Sequence, residues 1–288
     1  MADKIKIIVD SPADIPKDIV EKYNIGVIPS LILINDETYK DYYEMTSDKF
    51  CEILETADDN TKFSTAQPQL ESFLESFKKY TDEGYKVICL TISSDGSGTY
   101  QTANLAKQYL LDENPSAQVE IIDSKTYSLV YGHAAIEAAK MANDNADFDS
   151  IISRINDILS CGNAFFVTDT LKYLKRGGRV SPAVALIGEI LNIKPVLVVE
   201  NGVINSLEKI RGSKKIIPRV IELLKATDFT PNCPIYVLDG GNSKNVEDMK
   251  NALKDAFGIE NPAIAKIGSA ILMNTGPGLA GVIYFTKP

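Results

Sequence analysis

The apolar run Val87-Ile88-Cys89-Leu90-Thr91-Ile92 stops at Ser93-Ser94-Asp95-Gly96-Ser97-Gly98-Thr99-Tyr100-Gln101, after which a helical pattern begins. A buried strand that ends in small hydroxyl residues before a helix leaves unpaired N–H groups and hydroxyls at its carboxyl end, a cradle for an anion. In open α/β sheets ligands bind at this edge. Loops of the same polar, mostly uncharged kind recur at Val9-Asp10-Ser11, Ser64-Thr65-Ala66-Gln67-Pro68, Ile122-Asp123-Ser124 and Asn274-Thr275-Gly276-Pro277-Gly278. Any one of them reads as an ordinary cap or turn. Their recurrence after successive strands points to a binding edge.

Strand-like runs at Lys4 to Val9, Val27 to Ile34, Lys86 to Ile92 and Val119 to Ile122 alternate with amphipathic helical patterns, which predicts a parallel-sheet α/β/α first domain over residues 1–150. One helix starts at Pro68 and turns Leu70, Phe73, Leu74, Phe77 and Tyr80 to a single face, read as core. The character changes near Asp149. A helix through Ile151, Ile155 and Ile158 leads to a strand at Ala164 to Val167, and Glu200-Asn201-Gly202 between apolar runs is a hairpin signal. With helices near 214–225 and 246–257, residues 151–288 read as an α+β domain with a mixed sheet.

The chain has 288 residues and a formal net charge of −9, which disfavours nucleic acid or an anionic membrane surface as the main partner. The beginning Met-Ala-Asp-Lys-Ile-Lys-Ile lacks an apolar leader and no run reaches membrane-spanning length, so the expectation is a cytoplasmic protein without stable membrane insertion. Cys51, Cys89, Cys161 and Cys233 are scattered without a CxxC pair, and with one histidine they predict free thiols and no metal site.

Catalytic signals are weak. Gly276-Pro277-Gly278-Leu279-Ala280-Gly281 spells GxGxxG but feeds a strand-like run, so it reads as a tight turn. A serine nucleophile needs a base, yet His133 sits in an apolar helix pattern and Ser97 lacks the GxSxG frame. No catalytic residue is assigned. Basic residues gather at 172–179 and at Lys209, Arg211, Lys214 and Lys215, as either a solvated face or a docking surface.

Val9-Asp10-Ser11, Ser64 to Pro68, Ser93 to Gln101, Asp123-Ser124, Thr170 to Val180 with Gly177-Gly178-Arg179, Leu191 to Pro195, Ile210-Arg211-Gly212 and Gly268 to Gly278 resemble, in order and over the whole chain, the DegV family of bacterial fatty-acid-binding proteins. The resemblance implies a two-domain DegV-like fold with a long-chain fatty acid between the domains and no other cofactor. It also implies presentation of the acyl carboxyl to a separate ATP-binding fatty acid kinase subunit, which makes acyl phosphate for phospholipid synthesis. Carried over, Thr65 and Ser97 are the carboxyl ligands, with Ser64, Gly98, Thr99, Asn274 and Thr275 beside them, and Arg211 is the candidate for kinase docking. The family commonly has His-Thr-Gly-Pro-Gly where this chain has Asn274-Thr275-Gly276-Pro277-Gly278. An amide there cannot titrate near neutrality, so affinity is expected to be nearly flat between about pH 6 and 8. Other readings are a small-molecule kinase substrate domain, a serine hydrolase using Ser97, or a lipid-responsive regulator without a kinase.

Overall fold

The computed structural model describes residues 3–58, 60–185 and 193–287. The first half contributes β1 (Ile5–Asp10), β2 (Gly26–Ile28), β3 (Leu31–Ile34), β4 (Glu37–Lys40), β5 (Phe63–Ala66), β6 (Lys86–Thr91) and β7 (Val119–Asp123). Four of these form a wholly parallel sheet in the order β2-β1-β6-β7. All six side chains of β1 are buried, as befits a strand with both faces covered. Helix Leu70–Asp82 seals one face with Phe73 and Phe77, both fully buried, as its apolar spacing predicts. Helix Leu129–Asn143 packs on the other, where Tyr131 is the largest fully buried side chain.

The expected single strand from Val27 to Ile34 is two strands in two sheets. Pro29 cannot donate to a ladder, and the Ser30 N–H turns aside to the Ser11 hydroxyl oxygen at 3.0 Å. The chain therefore leaves the parallel sheet after β2, and β3 pairs antiparallel with β4 and β5 in a separate three-stranded sheet. That small sheet carries Thr65.

The second half builds a mixed sheet from β8 (Gly162–Val167), β9 (Ile193–Glu200), β10 (Val203–Arg211), β11 (Ile235–Asp239), β12 (Ala263–Lys266) and β13 (Ala280–Phe285). Their order is β10-β9-β8-β13-β11-β12, with only β11 and β12 parallel. The Asn-Gly hairpin is present: Glu200 pairs with Val203 across Asn201 at φ 51 and Gly202 at φ 84, the left-handed pair a two-residue turn requires. The glycines at 276 and 278 make a turn into β13, not a nucleotide loop. Helix Phe148–Cys161, which spans the expected change near residue 150, packs against Leu129–Asn143. One core runs from β1 through that helix pair to β8 and β13, so the two halves share buried apolar surface. All four cysteines are free thiols, with Cys89 and Cys233 buried.

Candidate functional site

The two halves meet around a cavity of about 390 Å³, within the usual range of roughly 300–1,000 Å³ for small-molecule sites. Its wall has two chemistries. Val130, Ala164, Phe166, Leu238, Ile267 and Ile283 form a hydrocarbon lining, whereas Thr65, Gln67, Ser97, Gly98, Asn274 and Thr275 supply polar groups.

Two neighbouring hydroxyls of β5 differ in position. Thr65, with Ala66 after it, lines the cavity, whereas Ser64 is exposed. Ser64 is therefore not a wall residue. Thr99 is displaced for another reason: it is the first residue of helix Thr99–Glu113 and is fully buried behind Ser97, with the two hydroxyl oxygens 2.8 Å apart. It touches Ser97 and not the cavity. Asn274 and Thr275, at the end of helix Ser269–Thr275, do line the cavity. Asn274 Nδ2 donates back to the Ala270 carbonyl at 3.0 Å, which leaves one amide hydrogen uncommitted.

The loop after β6 is held in shape before anything binds. Gly96 and Ser97 N–H groups both donate to the Ser93 carbonyl, at 3.0 and 3.1 Å. The Ser94 N–H donates to Asp123 Oδ1 at 3.0 Å. Burial alone pushes the Asp123 carboxyl upward, but hydrogen bonds from Ser94 and Lys125 outweigh it and hold the group below the usual carboxylate range. From the second half, the hairpin tip reaches over: the Gly202 carbonyl accepts from the Ser93 hydroxyl at 3.0 Å and the Tyr127 hydroxyl at 2.9 Å.

One cation of the wall was not assigned to the site from sequence. Gly178 at φ 69 ends helix Lys172–Gly177 and turns the chain back, so that Arg179 Nε donates to the Gly96 carbonyl at 3.2 Å and a second guanidinium nitrogen donates to the Gly177 carbonyl. Its guanidinium stands at the polar rim beside Ser97. The only signal in the sequence was Gly177-Gly178-Arg179, readable as a cap followed by a charge. By contrast, Arg211 is exposed and away from the cavity, and its side chain has no hydrogen-bond or ion-pair partner among the described residues. Within the quoted Leu191 to Pro195 segment, Leu191 and Asn192 lie outside the described residues.

A hydrolytic constellation is not assembled. His133 Nδ1 meets the Tyr236 hydroxyl at 2.8 Å, its ring packs on Phe285, and burial lowers it to about 4, so it is neutral near pH 7. It does not reach the cavity wall, and among the described residues Ser97 has no base there. Among the described residues no cluster of histidine, cysteine or acidic side chains could hold a metal ion, and no helix is long and apolar enough to cross a membrane. The arrangement can bind an amphiphile with an acceptor-rich head: hydroxyls, an amide and a guanidinium on a wall that is otherwise mainly apolar.

The DegV family, described as uncharacterised proteins, matches residues 4–287. A DegV domain-containing protein of Clostridium perfringens is 34% identical over 284 residues, 98% of each chain. Among solved structures, a DegV family protein of Thermus thermophilus described by its fatty acid binding superposes with a TM-score of 0.89 at 27% identity, covering 99% of this chain and all of the other. A fatty-acid-binding DegV family protein of Streptococcus agalactiae gives 0.87 at 28% identity over the full length of both.

Proposed function

The chain belongs to the DegV family, and on that footing we propose that it binds a long-chain fatty acid between its halves and presents the carboxyl group to a separate ATP-dependent kinase subunit. The observation that carries the reading is a cavity wall that joins a group of donors around Gln67, Ser97, Gly98 and Arg179 to a mainly apolar lining. Residues 1–150 supply Thr65, Ser97 and Gly98 for the head, and residues 151–288 cover much of the acyl chain through Ala164, Phe166 and Ile283.

The energetics suit a carrier. Burying a sixteen-carbon tail at about 0.8 kcal/mol per CH₂ contributes roughly 11 kcal/mol before the costs of association. Affinity then comes mainly from the tail and orientation from the head. A carboxylate leaving water loses its hydration and needs replacement donors. In this reading Thr65 and Ser97 donate hydroxyl hydrogens to the carboxylate, Thr99 keeps the Ser97 hydroxyl aimed, and Arg179 at the rim offsets the negative charge. Held at the rim, the carboxylate stays within reach of an external phosphoryl donor. The protein performs no chemistry itself. Arg211, with Lys209, Lys214 and Lys215 nearby on the exposed surface, then serves a partner carrying acidic groups.

Native mass spectrometry of the purified protein, followed by release and identification of the bound molecule, tests the proposal. A co-purifying mass of one long-chain fatty acid is expected. A protein that stays empty on mixing with C16 and C18 acids, or that retains a ligand without a carboxylate, overturns it.

A further inference from the structure

Strands β8 and β13 pair antiparallel in the middle of the mixed sheet and carry part of the cavity wall on one face. Alternation sorts their side chains. Phe165, Val282 and Tyr284 point into the core of the second half, whereas Ala164, Phe166 and Ile283 line the cavity. Leu279 lines it too, held in line just ahead of β13 by a bridge to Gly240. Along the cavity face the rungs read Phe166 opposite Gly281, Ala164 opposite Ile283, and then Gly162 opposite Phe285. The lining ends before that last rung: Phe285 is 1% exposed and is not a wall residue.

Gly162 makes the last rung possible. Its φ of −89 is open to any residue, so the missing side chain answers a need for space and not for backbone freedom. A Cβ there would lie 2.6 Å from Phe285 Cε1 and 2.9 Å from Val130 Cγ1. The phenyl ring and the wall residue Val130 therefore converge over the bare glycine. The same ring packs on the His133 imidazole, with 4.6 Å between centroids and 47° between planes. His133 lies one turn beyond Val130 on helix Leu129–Asn143, and its Nδ1 is tied to the Tyr236 hydroxyl of β11 at 2.8 Å. The helix thus repeats what the strands do, with Val130 on the wall and His133 behind it. A ring over a glycine, backed by an imidazole that is itself anchored, has only the cavity to move into.

We propose that Phe285, seated on Gly162 and backed by His133, is the stop against which the methyl end of the acyl chain rests, so that it sets the longest chain the cavity accepts. The proposal rests on the fatty-acid reading of the cavity. β13 follows the turn after the donors Asn274 and Thr275 and carries the wall away from them. At ~3.4 Å per residue, the stretch from Leu279 to Phe285 measures about 20 Å, which places the ring at the far end of the lining from that turn. An acyl chain longer than the lining has to displace the ring or leave methylenes in water, and each methylene left there lowers affinity about fourfold. Two substitutions act on the stop in opposite senses. Truncating Phe285 lengthens the lining toward His133. A methyl added at Gly162 pushes on the ring and on Val130, and so shortens it.

The test offers delipidated protein an equimolar set of straight-chain saturated acids from C12 to C22, dispersed with cyclodextrin, and reads the occupancy of each by native mass spectrometry. It compares the wild type, Phe285→Ala and Gly162→Ala, with a thermal melt of each. Phe285→Leu takes the place of the first variant if loss of a buried ring unfolds it. The wild type is expected to favour one length and to hold the acid four carbons longer about tenfold less or weaker still. Phe285→Ala should move the favoured length up by about two carbons or more, and Gly162→Ala should move it down. General loosening of a destabilised protein does not give shifts of opposite sign, and the hydrophobicity of the acids themselves is common to all three proteins. One length profile shared by all three, or a shift of both variants in the same direction, overturns the stop and leaves the fatty-acid reading standing. Absence of binding of every acid by every protein overturns the two together.

Discussion

The loop after β6 and the turn after β10 are both short polar segments between a strand and a helix, and they are built in opposite ways. In the first, Ser93, Ser94 and Ser97 are each committed to bonds within the loop, to Asp123, to Thr99 or to the Gly202 carbonyl of the facing hairpin. In the second, Arg211, Ser213, Lys214 and Lys215 are exposed, and their side chains have no hydrogen-bond or ion-pair partner among the described residues. Donors fixed in advance suit a small head group, since binding then costs little further ordering. Long unpaired cations suit a macromolecular surface that brings its own acidic complement. Under the proposed function, small-ligand recognition falls to the first segment and docking to the second, and that assignment can be broken at several points.

The largest expected effect is at the ligand-facing hydroxyls. Ser97→Ala and Thr65→Ala should each weaken fatty-acid affinity by about 1.5–3 kcal/mol, the usual contribution of a hydrogen bond to a charged group, with little change in melting temperature. Isothermal titration against a C16 or C18 acid, with a thermal melt beside it, checks this. Unchanged affinity in both variants would move the head group elsewhere.

Glycines sharpen the contrast next. Gly202 at φ 84 and Gly212 at φ 91 both occupy left-handed backbone, so alanine at either should cost roughly 1–2 kcal/mol of stability. Their surroundings differ: an added Cβ at 202 lies 2.5 Å from Ser93 Oγ, whereas at 212 nothing is within 4 Å. Gly202→Ala is therefore expected to speed lipid dissociation by pushing on the β6 loop, and Gly212→Ala to lower only the melting temperature. Equal effects on lipid release would show that the hairpin contact does not shape the site.

A smaller effect is expected at Thr99. Thr99→Val removes the partner of the Ser97 hydroxyl and should weaken binding by about 0.5–1.5 kcal/mol, while Thr99→Ser restores it. A uniform loss of stability with no recovery in Thr99→Ser would make the residue merely structural. Smallest for the lipid is Arg211→Ala, which should change neither affinity nor stability by more than about 0.5 kcal/mol, as at other exposed sites. Its effect should appear in acyl-phosphate formation when the kinase partner and ATP are supplied. Normal turnover there would remove the docking role from this turn.

Much of the scaffold was legible in the chain because the signals are local. Phe73 and Phe77 at helical spacing, the unbroken apolar β1 and the Asn201-Gly202 turn each reflect the geometry of a few consecutive residues. The break at Pro29 was equally local, yet the apolar pattern on both sides concealed it. On the cavity wall stand Thr65, Ser97 and Asn274, which the motifs carry, but the same motifs carry Ser64 and Thr99 along with them. The exposure of Ser64 and the depth of the start of helix Thr99–Glu113 separate these from the wall.

What the sequence by itself determined is the main strands and helices of each half, the parallel class of the first sheet and the mixed class of the second, and the concentration of uncharged donors after strands, but not the small antiparallel sheet of β3, β4 and β5. Short-range periodicity and turn chemistry are enough for these. The tertiary structure alone decided that Arg179 meets Gly96, 83 residues away, and that Asp14 meets Gly268, 254 residues away. It also decided that Val9-Asp10-Ser11, which reads as one more ligand loop, is buried away from the cavity wall. The physical reason is that a carboxyl's environment, wet or dry, paired or orphaned, depends on which distant segments close over it, and no pattern along the chain records that closure.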